Sequence, residues 1–292
     1  MYILSFDIEE WYTEKVYWGD HQEQYNVYDS KLNTILDILD EKGIHATFFC
    51  VGGMASFFPG VLKRIASRGH EIGCHSYKHE WLNTMTDSEV YEDTRVSVDA
   101  IEQCLGCKVK SYRAPAFSIG EKNKNVFEIL SQCGIERDAS IFPASRDFGG
   151  FSNFDCNCPI MIEYKQTHIK EFPICTTKFL GKKIAYSGGG YFRFFPIRFV
   201  IREISKSEYV MTYFHISDLV PEIHGFLSRQ DFENYFKIPG TLMNRGLRYI
   251  KSNIGMRGAF AKLQTLISAE NFLSIDEADN LIDWNKGPIV SL

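Results

Sequence analysis

The sequence has no apolar run that could cross a membrane, because no stretch approaches eighteen consecutive apolar residues. Its opening residues, MYILSFDIEEWY, contain neither a basic leader nor a long apolar segment of the kind that directs secretion. These two absences predict a soluble protein and, most simply, a cytoplasmic one. A leader upstream of Met1 stays open as the alternative.

Cysteine is too sparse for a fold built on disulfides, since the chain has 8 cysteines in 292 residues, and this suits a reducing compartment. The CLGC at residues 104–107 and the CNC at residues 156–158 together resemble a zinc site only loosely. CLGC follows a helical pattern as an ordinary turn and lacks the strand-to-helix context of a redox or zinc-ribbon motif. Free cysteines are therefore the favoured interpretation.

The chain also has little excess charge of either sign, because its 32 basic and 37 acidic residues give a net charge of −5. This balance of charge argues against a nucleic-acid footprint over the whole surface. Residues 234–269 are the exception, since they contain no acid and carry Lys237, Arg245, Arg248, Lys251, Arg257 and Lys262. This basic stretch is either a solvated helix face or a contact for an anionic membrane surface or the diphosphate of a lipid-linked sugar.

The composition is that of an ordinary globular protein, with 45% hydrophobic and 24% charged residues and no low-complexity linker. We therefore expect one domain over residues 1–292, with a core over about 1–220 and a helical extension over about 221–292. Amphipathic helices, glycine stops and short apolar strands alternate along the first half. One example is the helical spacing of Leu32, Ile35, Leu36 and Leu39, followed by Gly43 and a strand at 46–51. This alternation predicts βα units and a parallel sheet.

The pattern changes after about residue 145, where glycine and aromatic residues indicate loops and short hairpins. A helix near 197–204 and a strand at 209–214 restore it. A further helix is expected to begin at Thr86, where TDSE forms a capping box with Glu89.

Charged or titratable residues end the predicted strands. Strand-like segments run into Asp7, His75, Arg113, Asp138 and His215. The carboxyl ends of parallel strands in a barrel lie on one face, where active sites are assembled. The coincidence of these residues predicts a site on that face.

The motif HSYKH places His75 and His79 four residues apart, so that on one helical turn both imidazoles would converge on a metal. Paired histidines that are solvated or hydrogen-bonded are the alternative. Two imidazoles and a carboxylate leave coordination positions open, as a catalytic metal requires. The acids of DIEE, residues 7–10, are the natural source of the carboxylate.

Three motifs together resemble a known family. FDIEEW, RGHEIGCHSYKHEWL and YRAPAFSIG, in this order, are similar to the first three motifs of the polysaccharide deacetylases of carbohydrate esterase family four, over about residues 1–220. DIEEWY, DASIFP and GGGYFR resemble a branch associated with exopolysaccharide loci. The basic C-terminal region resembles the extension of that branch.

The resemblance implies an α/β fold, namely a deformed (β/α) barrel with hairpin insertions and a C-terminal helical extension. It implies a metal-dependent hydrolase that removes N-acetyl groups from amino sugars of a polysaccharide or of its lipid-linked precursor. The matching residues are Asp7 as catalytic base, His75 and His79 as metal ligands, Arg113 as the residue that orients the base, His215 as general acid, and Asp138 as the acid of the fourth motif. Plainer roles stay open: a structural ion pair for Arg113, an Asx turn for Asp138 and a core histidine for His215.

The first motif departs from the family pattern, because Ile8 stands where most members have a second, metal-binding aspartate. We expect Glu9 to replace it, since residues 7 and 9 of an extended chain point to the same side. Glu10 then faces the other side and pairs with a surface group or caps a turn. Zinc is the favoured metal, and cobalt, nickel, iron and manganese also suit the ligands.

Substrate-binding candidates are Trp11, Tyr12, Tyr191 and Pro115 of the third motif. An aromatic ring can stack on the apolar face of a pyranose, and core packing is the equal alternative for Trp11, Tyr12 and Tyr191. GGGYFR, residues 188–193, is interpreted as a substrate-wall loop. Rival functions are a deformylase or amidase on the same scaffold, and a non-catalytic glycan-binding relative, which only Ile8 favours.

Overall fold

The computed structural model describes residues 1–144, 149–220 and 224–292. The strands are β1 Tyr2–Ile3, β2 Ser5–Ile8, β3 Thr47–Cys50, β4 Glu71–Cys74, β5 Ser111–Tyr112, β6 Arg137–Asp138, β7 Ile160–Tyr164, β8 Thr167–Glu171, β9 Thr177–Phe179, β10 Lys182–Ile184, β11 Val210–Met211, β12 Phe214–His215, β13 Phe272–Leu273 and β14 Ile289–Ser291. The α-helices are α1 Glu10–Thr13, α2 Gln22–Lys42, α3 Met54–Phe57, α4 Pro59–Ala66, α5 Asp87–Leu105, α6 Val126–Gln132, α7 Gly189–Phe194, α8 Ile197–Ser205, α9 Arg229–Phe236, α10 Leu242–Asn253, α11 Ala259–Ala269 and α12 Ile275–Leu281. A π-helix spans Glu14–Trp18, and 3₁₀ turns span Leu82–Thr84, Pro115–Phe117 and Ile216–Asp218. Within the described ranges, no helix is long and apolar enough to cross a membrane.

The main sheet is mostly parallel, as the alternating pattern predicts. Seven strands pair in parallel in the order β12, β2, β3, β4, β5, β6 and β8. The hairpin β7–β8 adds an antiparallel strand, and β14 pairs in parallel with β7. In the part of the chain that the structure describes, β12 and β14 at the two ends of this ladder are not paired with each other. The barrel is therefore deformed and not closed by hydrogen bonds.

Helix ends follow the signals in the sequence. The apolar stripe of α2 is buried, and α2 ends at Gly43, whose φ of 62° lets its N–H donate to the carbonyls of Leu39 and Asp40. The capping box of α5 forms as predicted, because the Thr86 hydroxyl accepts from the Glu89 N–H while the Glu89 carboxylate accepts from the Thr86 N–H. These local signals set the helices that flank the sheet.

Two segments differ from the prediction. GGGYFR is mostly helical, because Gly189–Phe194 form α7, so it is not the loop that we expected. The C-terminal extension is not purely helical, since β13 pairs with β1 and β14 pairs with β7. Both of these strands are too short for an alternating pattern to reveal them, and the neighbouring strands supply their hydrogen bonds.

Candidate metal-binding active site

Parallel pairing brings the predicted site residues to one edge of the sheet. His215 at the end of β12 lies opposite Asp7 of β2. His75 directly follows β4, and Arg113 directly follows β5, the strand paired with β4. The side chains that end these strands therefore meet, although long stretches of chain separate them in the sequence.

Glu9, His75 and His79 converge. Glu9 Oε2 lies 2.6 Å from His79 Nε2 and 3.5 Å from His75 Nε2, and the three ligand atoms lie within 4.8 Å of one another. Nδ1 of His75 lies 2.7 Å from the Arg113 carbonyl oxygen. Because a carbonyl only accepts, Nδ1 carries the proton and Nε2 presents a lone pair.

Two of these atoms are buried without a hydrogen bond. Among the described residues, neither Glu9 Oε2 nor His75 Nε2 has a partner in hydrogen-bond geometry, although Glu9 Oε2 lies close to both imidazoles. Buried polar atoms left in this way cost free energy, and a cation between facing lone pairs removes that cost. The donor set of one carboxylate and two imidazoles therefore fits a divalent metal.

The HSYKH segment is not helical, which corrects the local geometry that we predicted. Ser76 and His79 have positive φ values of 62° and 60°. The segment is an irregular loop fixed by backbone hydrogen bonds from Gly52 to the Ser76 carbonyl and from Gly53 to the Tyr77 carbonyl. The two imidazoles converge because this loop folds back, not because they share a helix face.

The backbone turns at Glu9 instead of staying extended, with φ −131° and ψ −21°, and α1 begins at the next residue. Glu9 nevertheless points toward the histidines. Glu10 is buried, and among the described residues it caps a turn and does not pair with a surface group. Its Oε1 accepts from the Ser217 N–H at 2.7 Å, and so it caps the 3₁₀ turn Ile216–Asp218. Burial, together with the neighbouring charge of Glu9, raises the pKa of Glu10 to about 7.

Asp7 and Arg113 form a buried pair. Arg113 Nη1 donates to Asp7 Oδ1 at 2.7 Å, and its Nε donates to the Ala139 carbonyl at 3.2 Å. The guanidinium also lies over the Phe49 ring, 4.2 Å from its centroid. The rigid guanidinium therefore fixes the orientation of the Asp7 carboxylate.

His215 is oriented by a residue that the sequence interpretation missed. Its Nδ1 lies 3.0 Å from Asp218 Oδ2, and its Nε2 lies 3.7 Å from Asp7 Oδ2. Burial lowers the pKa of His215, but the charges of Glu9, Asp218 and Asp7 outweigh this and raise the pKa to about 10. The spacing His-x-x-Asp was the available signal, since Asp218 also accepts from the His215 N–H at the start of the 3₁₀ turn.

The hydrogen bonds that the structure describes for Asp138 go to residues outside this cluster. Its carboxylate accepts from the Ser140 N–H at 3.0 Å and from the Ser140 hydroxyl at 2.7 Å. The first contact is the Asx-turn hydrogen bond that we gave as the alternative. Burial raises the pKa of Asp138 and also that of Glu171, with which it shares a hydrogen bond. The structure thus places Asp138 in a buried acid pair behind Arg113.

The aromatic residues that we predicted for sugar stacking are mostly in the core. Trp11 is 1% exposed and packs on Tyr28, and the ring of Tyr12 fills the space where a side chain at Gly53 would lie. Pro115 is buried at the start of a 3₁₀ turn, and Tyr191 is exposed on α7. Only Tyr191 keeps an exposed ring.

Other aromatic residues line a cavity beside His79, one of the candidate metal ligands. A cavity of about 610 Å³ adjoins His79, and its wall includes Tyr17, Tyr77, Trp81 and Tyr235. Sequence reasoning missed this set because Tyr17 and Tyr235 come from distant segments that only the fold brings together. Their rings contact each other at a centroid distance of 4.9 Å.

Comparisons with known proteins show two family matches along the chain. Residues 24–137 match the family model described as polysaccharide deacetylase, and residues 139–280 match a domain of unknown function, DUF3473. His75, His79 and Arg113 lie within the first match and His215 within the second, whereas Asp7 and Glu9 precede both.

Two relatives illustrate the sequence similarity. Chitin deacetylase 1 of Cryptococcus neoformans is 30% identical over 123 residues, which are 42% of this chain and 25% of that protein. A peptidoglycan-N-acetylglucosamine deacetylase of Bacillus cereus is 36% identical over 81 residues, which are 28% of this chain and 30% of that protein. The chain spans between 15% and 33% of the length of the curated relatives it matches.

A solved structure confirms the predicted fold. A Mycobacterium smegmatis protein, provisionally named a polysaccharide deacetylase, superimposes with a TM-score of 0.63 at 18% identity, over 100% of this chain and 92% of that one. Residues 24–137 of the chain are therefore similar to the polysaccharide deacetylase family, and residues 139–280 are similar to DUF3473.

Proposed function

We propose that this protein is a metal-dependent hydrolase that removes N-acetyl groups from the amino sugars of a polysaccharide or of its lipid-linked precursor. One observation carries the proposal. Glu9, His75 and His79 converge beside two further groups of opposite chemical role, the Arg113-bound Asp7 and the Asp218-bound His215. Binding a glycan alone requires neither a positioned base nor a positioned acid.

Each residue has a separate task in amide hydrolysis. Glu9, His75 and His79 would hold a divalent metal, most simply zinc, which when bound polarises the acetyl carbonyl and lowers the pKa of water. Asp7, fixed by Arg113, accepts the proton of the attacking water. His215 is kept protonated by the surrounding carboxylates and delivers a proton to the leaving amine nitrogen. Asp218 holds the ring of His215 in the orientation that this delivery requires.

The substrate class follows from the cavity wall and from the relatives. Tyr17, Tyr77 and Trp81 offer rings against which the C–H face of a pyranose can pack. Relatives named as chitin and peptidoglycan deacetylases support an N-acetylated amino sugar. We also propose that the substrate is an exopolysaccharide precursor in the cytoplasm. The motif resemblance and the free cysteines of the described residues support this.

The test is acetate release from N-acetylglucosamine oligomers and from lipid-linked N-acetylated sugars. Metal-stripped protein is reloaded with zinc or with cobalt and compared with Asp7→Asn. Asp99→Asn is the matched control, because Asp99 is an exposed acid paired with Arg95. The proposal expects metal-dependent release that Asp7→Asn abolishes and Asp99→Asn retains.

The rival functions give different outcomes in the same assay. Formate release from N-formylated sugars without acetate release would identify a deformylase, and a ring-opened amino acid from a cyclic amide would identify an amidase. Glycan binding by metal-free protein, with no product from any substrate, would identify a non-catalytic relative.

A further inference from the structure

Helix α10, Leu242–Asn253, buries none of its residues. Its large apolar side chains are between 50% and 72% exposed and are those of Leu242, Met243, Leu247 and Ile250. Spacings of three, four and seven residues place Met243, Leu247 and Ile250 on one side of the helix, and exposed Ile254 continues this stripe just beyond it. We call Leu242, Met243, Leu247, Ile250 and Ile254 the α10 apolar face. A soluble helix normally turns such a face toward the core.

The opposite side of α10 faces the protein. Arg245, Arg248, Tyr249 and Ser252 line a cavity of about 130 Å³ that also reaches Glu9. Arg245 donates to the Leu227 carbonyl at 3.0 Å, and the guanidinium of Arg248 lies 4.7 Å from the centroid of the Phe236 ring. The helix is therefore attached through its polar side, and this attachment turns the α10 apolar face outward.

The rim of this face is basic. Lys251 and Arg257 are exposed, and neither forms an ion pair with the residues that the structure describes. Residues 234–269 contain no acid that would repel an anionic surface. Not every basic residue of this stretch belongs to the rim, because Lys262 donates to the carbonyls of Arg193 and Phe195 inside the fold.

Aromatic side chains lie beside the helix. Phe226 and Tyr249 are both partly exposed, and their rings contact each other at a centroid distance of 5.9 Å. These rings lie on the side of α10 that carries Arg245, which packs over the Phe226 ring, so they do not belong to the α10 apolar face. The exposed apolar residues and the basic rim together match an interfacial helix.

We propose that α10 docks on an anionic lipid bilayer through the α10 apolar face, with Lys251 and Arg257 at the level of the headgroups. A second copy of this chain fits less well, because a symmetric contact would bring two acid-free basic rims together. The cavity that reaches Glu9 lies on the other side of the same helix. Docking would therefore hold the candidate active site about one helix diameter, roughly 10 Å, from the membrane surface.

Vesicle co-sedimentation tests this proposal without any substrate, so its result is independent of catalysis. The full chain is mixed with phosphatidylcholine vesicles and with vesicles that also contain phosphatidylglycerol. We expect binding to the anionic vesicles that weakens as salt is raised, because exposed charges are screened. The double variant Leu247→Glu with Ile250→Glu should lose at least about tenfold in vesicle affinity, since it places charge on the inserted face.

Two further variants make the test specific. Leu180→Glu is the matched control, because Leu180 is 89% exposed on the turn between β9 and β10, outside the α10 apolar face. This variant should bind vesicles as the wild type does. If the double variant unfolds, Lys251→Glu with Arg257→Glu tests the rim instead and should lose binding to anionic vesicles. Equal binding of all variants, or no binding of the wild type to anionic vesicles, would overturn the proposal. A wild-type dimer that the double variant dissociates would assign the face to a second copy instead.

Discussion

Arg113 donates to Asp7 at 2.7 Å across the end of the sheet, although the two side chains are only 0% and 3% exposed. Asp7 lies in β2 and Arg113 follows β5, so only the folded sheet makes the pair possible. A buried ion pair of this kind is costly to break, because the remaining charge has no water to solvate it.

Removal of Arg113 should therefore destabilise the protein strongly. Arg113→Ala leaves the Asp7 carboxylate buried without its partner, and we expect the free energy of unfolding to fall by about 3 to 5 kcal/mol. Urea denaturation measures this change. Arg95→Ala removes an exposed arginine that pairs with Glu92 and Asp99 and should cost below about 1 kcal/mol. Equal losses in the two variants would show that the Asp7–Arg113 pair has no special weight.

Glu9 should be required for metal binding. Glu9→Ala removes the carboxylate that lies between His75 and His79, and we expect metal affinity to fall by more than the roughly 10- to 100-fold that is typical of outer-sphere changes. Metal content after dialysis, measured by elemental analysis, checks this. His45→Ala is the control, because His45 pairs with Glu277 away from the cluster. Full metal retention in Glu9→Ala would assign the third ligand elsewhere.

Asp218 should act through His215. Asp218→Asn keeps the shape of the side chain but removes the charge that holds the imidazole, so kcat should fall by about 10²- to 10⁴-fold, the range for general acid catalysis. Metal content should be unchanged, because Asp218 does not contact the ligand cluster directly. Steady-state kinetics with metal analysis separates these effects. A parallel loss of metal would indicate a collapse of the whole site.

Buried His70 should make the protein less stable in mild acid. Burial lowers the pKa of His70 to about 4 from its ordinary value of 6.5. Between these values the unfolded chain binds a proton that the folded chain does not, so stability is complete above pH 6.5 and falls as the pH drops toward 4. At pH 5 the loss should be no more than about 2 kcal/mol.

The variant His70→Gln isolates this contribution. Its unfolding free energy should fall less between pH 7 and pH 5 than that of the wild type, as measured by denaturation at each pH. Identical slopes for wild type and His70→Gln would rule out the contribution of His70.

The fold was largely readable because its signals are local. Glycine stops, a capping box and the apolar stripe of α2 act within a few residues, and the structure contains each of them. The strand-end residues followed from the same alternation. The short strands β13 and β14 of the C-terminal part were not readable, because strands of two or three residues have no periodicity of their own.

The site was only partly readable, and its errors have physical reasons. HSYKH has helical spacing, but Ser76 and His79 adopt positive φ because backbone hydrogen bonds from Gly52 and Gly53 hold the loop. Trp11 was a candidate for sugar stacking because it lies beside the acids of the first motif, yet its ring is buried against Tyr28. Periodicity does not distinguish a buried ring from one at the wall of a cavity.

The sequence by itself determined the order of helices and strands, the residues at the strand ends and the motifs that resemble the deacetylases, because these depend on neighbours in the chain. Tertiary structure alone decided that Glu9 meets His79, that Asp218 holds His215, and that α10 turns its apolar face outward. Each of these contacts depends on the register of parallel strands or on which side of a helix finds a partner. Pairings between distant segments are set by the packing of the whole chain.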